Sequence, residues 1–162
     1  MGFAAMTRVA MTRATSIINW AAVLLAFVSL AGGCASPAAA QSCSAGTEPV
    51  VFGAYDTLAS GSVDGTGRVL VHCDAPADYV ITLTPGNGTV AAREMQGGAN
   101  RLLYNLYTDP TYLTPWGDGS GTGTTVGAAG TQADITVYGR IPARQNVPAG
   151  AYADVIGVTV RF

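Results

Sequence analysis

The sequence predicts an all-β domain, a sandwich of short strands. Segments rich in Val, Ile, Thr and Tyr alternate apolar and polar residues with period two, the pattern of half-buried strands. No window sustains a helical period. Turn-forming, Gly-rich stretches separate the segments, and residues 41–162 hold 18 of the 21 glycines, all but Gly2, Gly32 and Gly33. Several short strands with turn signals between them are the signature of a sandwich.

The strands follow in order. "EPVVFGAYD" predicts a first strand near 48–53. "GTGRVLVHC" predicts a second, with Val69, Val71 and Cys73 inward and Arg68, Leu70 and His72 outward. "DYVITLTPGNG" predicts a third, in which Tyr79, Ile81 and Leu83 share a face and "PGNG" makes the turn. Asp74 and Asp78 read as residues flanking a turn between the second and third strands. "NRLLYNLYTD" gives a fourth strand at 101–108, and "ADITVYGRI" a fifth at 133–141. Between them, 110–130 reads as a long flexible hairpin with Trp116 packed beneath it. Its "WGDGSGTG" lacks the helix N-terminus that an anion-binding glycine loop needs. There is no internal repeat and no second domain.

The sixth strand is "AYADVIGVTVRF", 151–162. Alternation puts Ile156, Val158, Val160 and Phe162 on one face, with Asp154 in register nearer the start. So long and apolar a strand, with nothing after it to cover its edge, is an aggregation hazard. Nothing ahead of Cys43 reads as apolar enough to fold back over it.

Ahead of the domain lies a secretory pattern. Arg8 and Arg13 precede an apolar run from Ala21 to Val28, extended by Ile17, Ile18 and Trp20, and small residues follow, "SLAGGCASPAAAQSC". A basic start, a short apolar stretch and an Ala-x-Ala end mark an exported chain. A spanning helix needs about 20 apolar residues; this run is shorter and Asn19 interrupts it, so the mature chain has no membrane span. Ala38-Ala39-Ala40 sets cleavage after Ala40, making 1–40 the expected signal peptide and 41–162 the mature domain. "LAGGC" offers an alternative, a lipoprotein attached through Cys34. Met6 and Met11 are alternative starts to Met1.

The mature domain would keep six arginines, no lysine and ten carboxylates, a net charge of −4. Nucleic acid demands a basic footprint, so it is excluded as a partner. Cleavage leaves two cysteines, Cys43 and Cys73, and an even count in an exported domain suggests a disulfide. Closing that loop is worth about 3–4 kcal/mol in the chain-entropy model. The alternative is a metal or nucleophilic site shared with His72. His72 adjoins Cys73, so in a strand the two point to opposite faces. With one histidine, the chain offers poor material for a triad or zinc site. Asp64 and Asp118 each precede Gly, a tight-turn signal without the acidic spacing of a calcium loop. Asn87-Gly88-Thr89 matches a glycosylation sequon. No enzymatic activity and no cofactor is expected.

"VVFGAYD", "GRVLVHC", "YVITLTPGNG", "REMQGG", "LLYNLYTD", "WGDG" and "VYGRIPARQNVPAGAYADVIGVTVRF" occur in this order over nearly all of 43–162. In them the chain closely resembles the spore coat protein U domain, the pilin domain of archaic, Csu-type chaperone–usher pili. The resemblance implies an incomplete immunoglobulin-like sandwich that lacks its final strand. It implies a periplasmic chaperone that lends a strand, an outer-membrane usher, and another pilin subunit whose N-terminal segment later replaces the chaperone's strand. It also implies a route through the periplasm to a cell-surface pilus, with roles in adhesion and biofilm. Strand addition draws affinity from main-chain bonds and specificity from side-chain pockets. Ile156, Val158, Val160 and Phe162 would line the acceptor groove and the subunit and chaperone interface. At about 1.5–3 kcal/mol for each buried side chain, roughly 6–12 kcal/mol depends on the borrowed strand.

One departure matters. A shaft subunit needs an apolar extension ahead of its first cysteine, and here only Gln41 and Ser42 precede Cys43 after cleavage. A unit that accepts a strand and donates none belongs at or near the fibre tip. The rival expectation is a self-contained secreted or surface-attached module for a glycan or surface ligand, with Tyr107, Tyr112 and Trp116 as its stacking platform.

Overall fold

The computed structural model describes residues 4–12 and 41–162. The cleavage site, the apolar run and Cys34 lie outside the described residues. Eight strands follow in chain order: β1 (Ala4–Thr12), β2 (Cys43–Glu48), β3 (Val50–Tyr55), β4 (Val63–Leu83), β5 (Arg93–Gly97), β6 (Asn100–Tyr107), β7 (Val126–Ile141) and β8 (Tyr152–Arg161). No helix occurs among the described residues.

Five of the strands pair in a ring. β4 lies antiparallel to β7, β7 to β6, β6 to β5, and β5 touches β8 through Gln96 and Ala153. β8 closes the ring by pairing Val158–Arg161 with Val80–Leu83 of β4. β2 extends the sheet from β4, and β1 and then β3 extend it from β8. The architecture is therefore an all-β, barrel-like sheet with one disulfide. An immunoglobulin-like sandwich is a finer description than these pairings support.

The faces follow the alternation. Val69, Val71, Cys73, Tyr79, Ile81 and Leu83 are buried, while Arg68 and His72 are exposed and Leu70 is more than a third exposed. Burying such side chains supplies about 1.5–3 kcal/mol each. The strand boundaries differ from expectation in several places: β2 and β5 are not among the expected strands, and the first expected strand, near 48–53, is β3 at Val50–Tyr55. The expected second and third strands are one 21-residue strand, β4. Asp74 and Asp78 lie within it and flank no turn. Register along β7 runs from His72 opposite Gln132 to Ala77 opposite Gly130, so residues 73–76 face residue 131 alone. That bulge accommodates Pro76, which has no N–H to give the ladder.

β5 precedes β6 as a hairpin turned at Gly98, whose φ of +62° favours glycine. β7 starts at Val126, earlier than the expected 133, because the long β4 offers it partners as far as Ile81. The loop between β6 and β7 is correspondingly shorter.

β3 is held differently. Val50, Phe52 and Tyr55 are buried, but among the described residues its only ladder partner is β1. Its backbone rests on glycines of β4 and β7. A Cβ on Gly65 would come within 2.7 Å of the Val51 carbonyl oxygen, and one on Gly139 within 2.6 Å of the Phe52 ring. Gly65 and Gly139 are register partners, so together they form one flat bed for β3.

Candidate functional site

β8 owes its length to β-branched residues, and its inward row is continuous. Tyr152, Asp154, Ile156, Val158 and Val160 are all buried. Of the four apolar residues expected to face inward, Phe162 departs from the row. It follows the strand, stays 45% exposed, and sets its ring edge-on to Tyr79 at 6.0 Å. The last paired position is Arg161 opposite Val80, and beyond it no ladder bond holds the chain.

Between β8 and β3 lies a slot one strand wide. Ala4–Thr12 occupies it, contrary to the expectation that nothing ahead of Cys43 could cover this edge. β1 runs parallel to β8, from Thr7 beside Tyr152 to Thr12 beside Gly157. On its other side it runs antiparallel to β3, with Arg8 opposite Val51 and Val9 opposite Val50. Hydropathy missed this because ladder bonds come from the main chain, which any proline-free segment supplies. Met11, beside Ile156, is partly buried against the core, and its carbonyl accepts the Thr47 hydroxyl at 3.4 Å.

The slot borders a buried polar cluster. Asp154 lies in the inward row and accepts four donors: the Tyr104 hydroxyl at 2.7 Å, Asn87 Nδ2 at 2.9 Å, the Asn87 amide at 3.1 Å and the Val155 amide at 2.8 Å. Burial, and then the charge of Asp154, push the Tyr104 hydroxyl far above the ordinary tyrosine range, so it remains a donor. Asn87, the residue of the sequon, thus spends its side-chain amide on Asp154. Gly86, at φ +65°, lets the turn approach: a Cβ there would come within 2.6 Å of Ile156. The position of Asp154 in an apolar row was the sequence signal for this cluster.

Arg93 is fully buried beside it. Nη1 donates to Asn105 Oδ1 at 2.7 Å, and Nη2 donates to the carbonyls of Trp116 at 2.8 Å and Thr84 at 3.1 Å. Burial lowers its pKa. Its role is to tie two loop carbonyls to the Asn105 side chain of β6 at the barrel end; no feature of the sequence singled it out.

Cys43 and Cys73 are bonded to each other as register partners across β2 and β4, with Cα atoms 4.1 Å apart. Gln41 and Ser42 continue that contact. Gln41 Nε2 donates to the carbonyls of Ala75 and Pro76, and the Ser42 amide to Asp74 Oδ1. His72 faces outward and lies 3.2 Å from Gln132 Nε2 through Nδ1. Among the described residues, no three His, Cys, Asp or Glu side chains gather to hold a metal ion.

The aromatics that the rival binding module would use as a stacking platform are engaged internally. Trp116 is fully buried and donates Nε1–H to the Ile81 carbonyl. Tyr107 meets Tyr112 edge-on, and the Arg140 guanidinium sits 3.6 Å over the Tyr112 ring. Arg140 in turn pairs with Asp64 and holds its carboxyl below the usual range. Trp116 is thus closed to a ligand, while Tyr107 and Tyr112 stay part-exposed.

Both the sequence and the fold have relatives. Protein U of Myxococcus xanthus is 39% identical over 132 residues, covering 73% of this chain and 74% of that protein. A likeness of fold extends to a chain in the crystal structure of the CsuC–CsuE chaperone–tip adhesion subunit pre-assembly complex, from archaic chaperone–usher Csu pili of Acinetobacter baumannii. The TM-score is 0.55 at 20% identity, over 75% of this chain and 40% of that one. The family model of the Spore Coat Protein U domain matches residues 30–159, and the chain belongs to that family.

Proposed function

We propose that this chain is an exported structural and adhesive subunit of a chaperone–usher pilus, and that it accepts a borrowed strand in the slot between β8 and β3. One observation carries the proposal: an extended segment lies in that slot and pairs with both walls, β8 on one side and β3 on the other. In the exported domain, 41–162, that segment is gone, and two strands face each other with unpaired backbone. A strand from a periplasmic chaperone fills the slot first, and an N-terminal segment of another subunit replaces it after the usher. Ile156, Val158 and Val160 supply the apolar floor, and Phe162 flanks its end. Support for a place at or near the tip comes from Gln41 and Ser42, which bond back onto residues 74–76.

The test is to export residues 41–162 to the periplasm with and without a co-expressed chaperone of this pilus class. The expected result is recovery as a one-to-one complex with the chaperone, and aggregation or proteolysis without it. A stable, monodisperse monomer that forms without a chaperone and ignores strand peptides would refute the proposal.

A further inference from the structure

We infer that Ala4–Thr12 is a built-in plug, an intramolecular occupant that closes the acceptor slot until the leader enters a membrane. The inference rests on the acceptor reading above and adds its regulation. β1 makes two ladders at once, with six register pairs to β8 and four to β3. β3 has no other ladder partner among the described residues, so the same nine-residue segment covers the β8 edge and fastens β3 to the sheet. Exposed edges of this kind template aggregation, and an intramolecular strand covers them at a high effective concentration.

The plug is also self-removing. The apolar run 17–28 lies between β1 and the domain. When that run enters a membrane as a leader, Ala4–Thr12 and β8 come to lie on opposite sides, so export itself withdraws the strand. Cleavage after Ala40 then makes the opening permanent. The start codon sets the outcome as well: initiation at Met11 omits all of β1 except Met11 and Thr12.

Hydrogen–deuterium exchange on the full chain in mild detergent tests the plug. Four samples are compared: the native chain and Val9→Pro, each with and without excess peptide of sequence AAMTRVAMT. Proline at position 9 removes a ladder donor in the middle of β1. Amides of 152–157 and 50–55 should exchange about tenfold faster in the variant, and the peptide should restore their protection. Amides of β4 and β7 serve as the control for folding. If these are lost too, Met11→Ala replaces Val9→Pro, because it keeps every ladder bond and should let labelled peptide displace β1 about tenfold more readily than in the native chain. Equal, low protection in native chain and variant, with the peptide protecting both, would overturn the plug and leave the acceptor slot standing. If the peptide protects neither, the plug and the acceptor reading fall together.

Discussion

Asp154 is the one carboxylate in the inward row of β8, and its removal gives a sharp test of how the acceptor edge is positioned. Asp154→Ala strands the hydroxyl of Tyr104, a residue 2% exposed, along with the Asn87 side-chain amide and two backbone amides. A buried donor left without a partner costs about 1–3 kcal/mol. Two of the four can turn toward water at the strand's start, so the expected loss is about 3–5 kcal/mol. Asp154→Asn keeps one carbonyl acceptor and should lose about half as much. Because Tyr104 and Asp154 are in direct contact, Tyr104→Phe should cost less in the Asp154→Ala background than alone, with a coupling of about 1–2 kcal/mol. The assay is urea unfolding of the full chain, followed by fluorescence of the fully buried Trp116. A loss below about 1 kcal/mol, or no coupling to Tyr104, would show that the cluster is solvated and does not fix the start of β8.

Gly65→Ala should destabilise the domain by about 2 kcal/mol, because the new methyl meets the Val51 backbone carbonyl, which cannot move aside; an unchanged urea midpoint would show that β3 does not rest on this bed. Cys73→Ser should cost about 3–4 kcal/mol, and two free thiols by mass spectrometry in oxidised native material would contradict the bridge. Val158→Asp puts an unpaired charge where the side chain is 2% exposed; it should cost more than about 3 kcal/mol and abolish binding of the AAMTRVAMT peptide while the disulfide stays intact. Asp109 accepts the Thr111 hydroxyl and the amides of Thr111 and Thr114, which hold its carboxyl at about 2, below the ordinary 3.8. A depressed carboxylate contributes stability that is complete above the unfolded value and lost as pH falls through the folded one. The 109–114 turn should therefore hold from neutral pH down past 3.8 and loosen near 2, and a carboxyl titration by NMR centred near 4 would refute this.

Period-two alternation settled which way each strand faces. Val69, Val71, Cys73, Tyr79, Ile81, Leu83, Ile156, Val158 and Val160 point inward as their spacing requires, because one face of a strand is removed from water and the other is not. The pairing of Cys43 with Cys73 was likewise legible, since only two cysteines follow the expected leader. What alternation does not encode is which backbone pairs with which. Residues 63–83 became one strand because β7 pairs beside them from Val63 to Ile81, β8 takes over at Val80–Leu83, and a bulge absorbs Pro76; by sequence, the same proline and its flanking aspartates read as a turn. Trp116 packs beneath its loop as the sequence led us to expect, but Arg93 entered the core because the carbonyls of Thr84 and Trp116 and the Asn105 side chain converge there, a coincidence of residues far apart in the chain. The occupation of the β8–β3 slot by Ala4–Thr12 is the clearest case. Hydropathy gave that segment no place in the fold, yet main-chain donors and acceptors are the same in every residue but proline, and only the assembled sheet determines where two unpaired edges stand one strand apart.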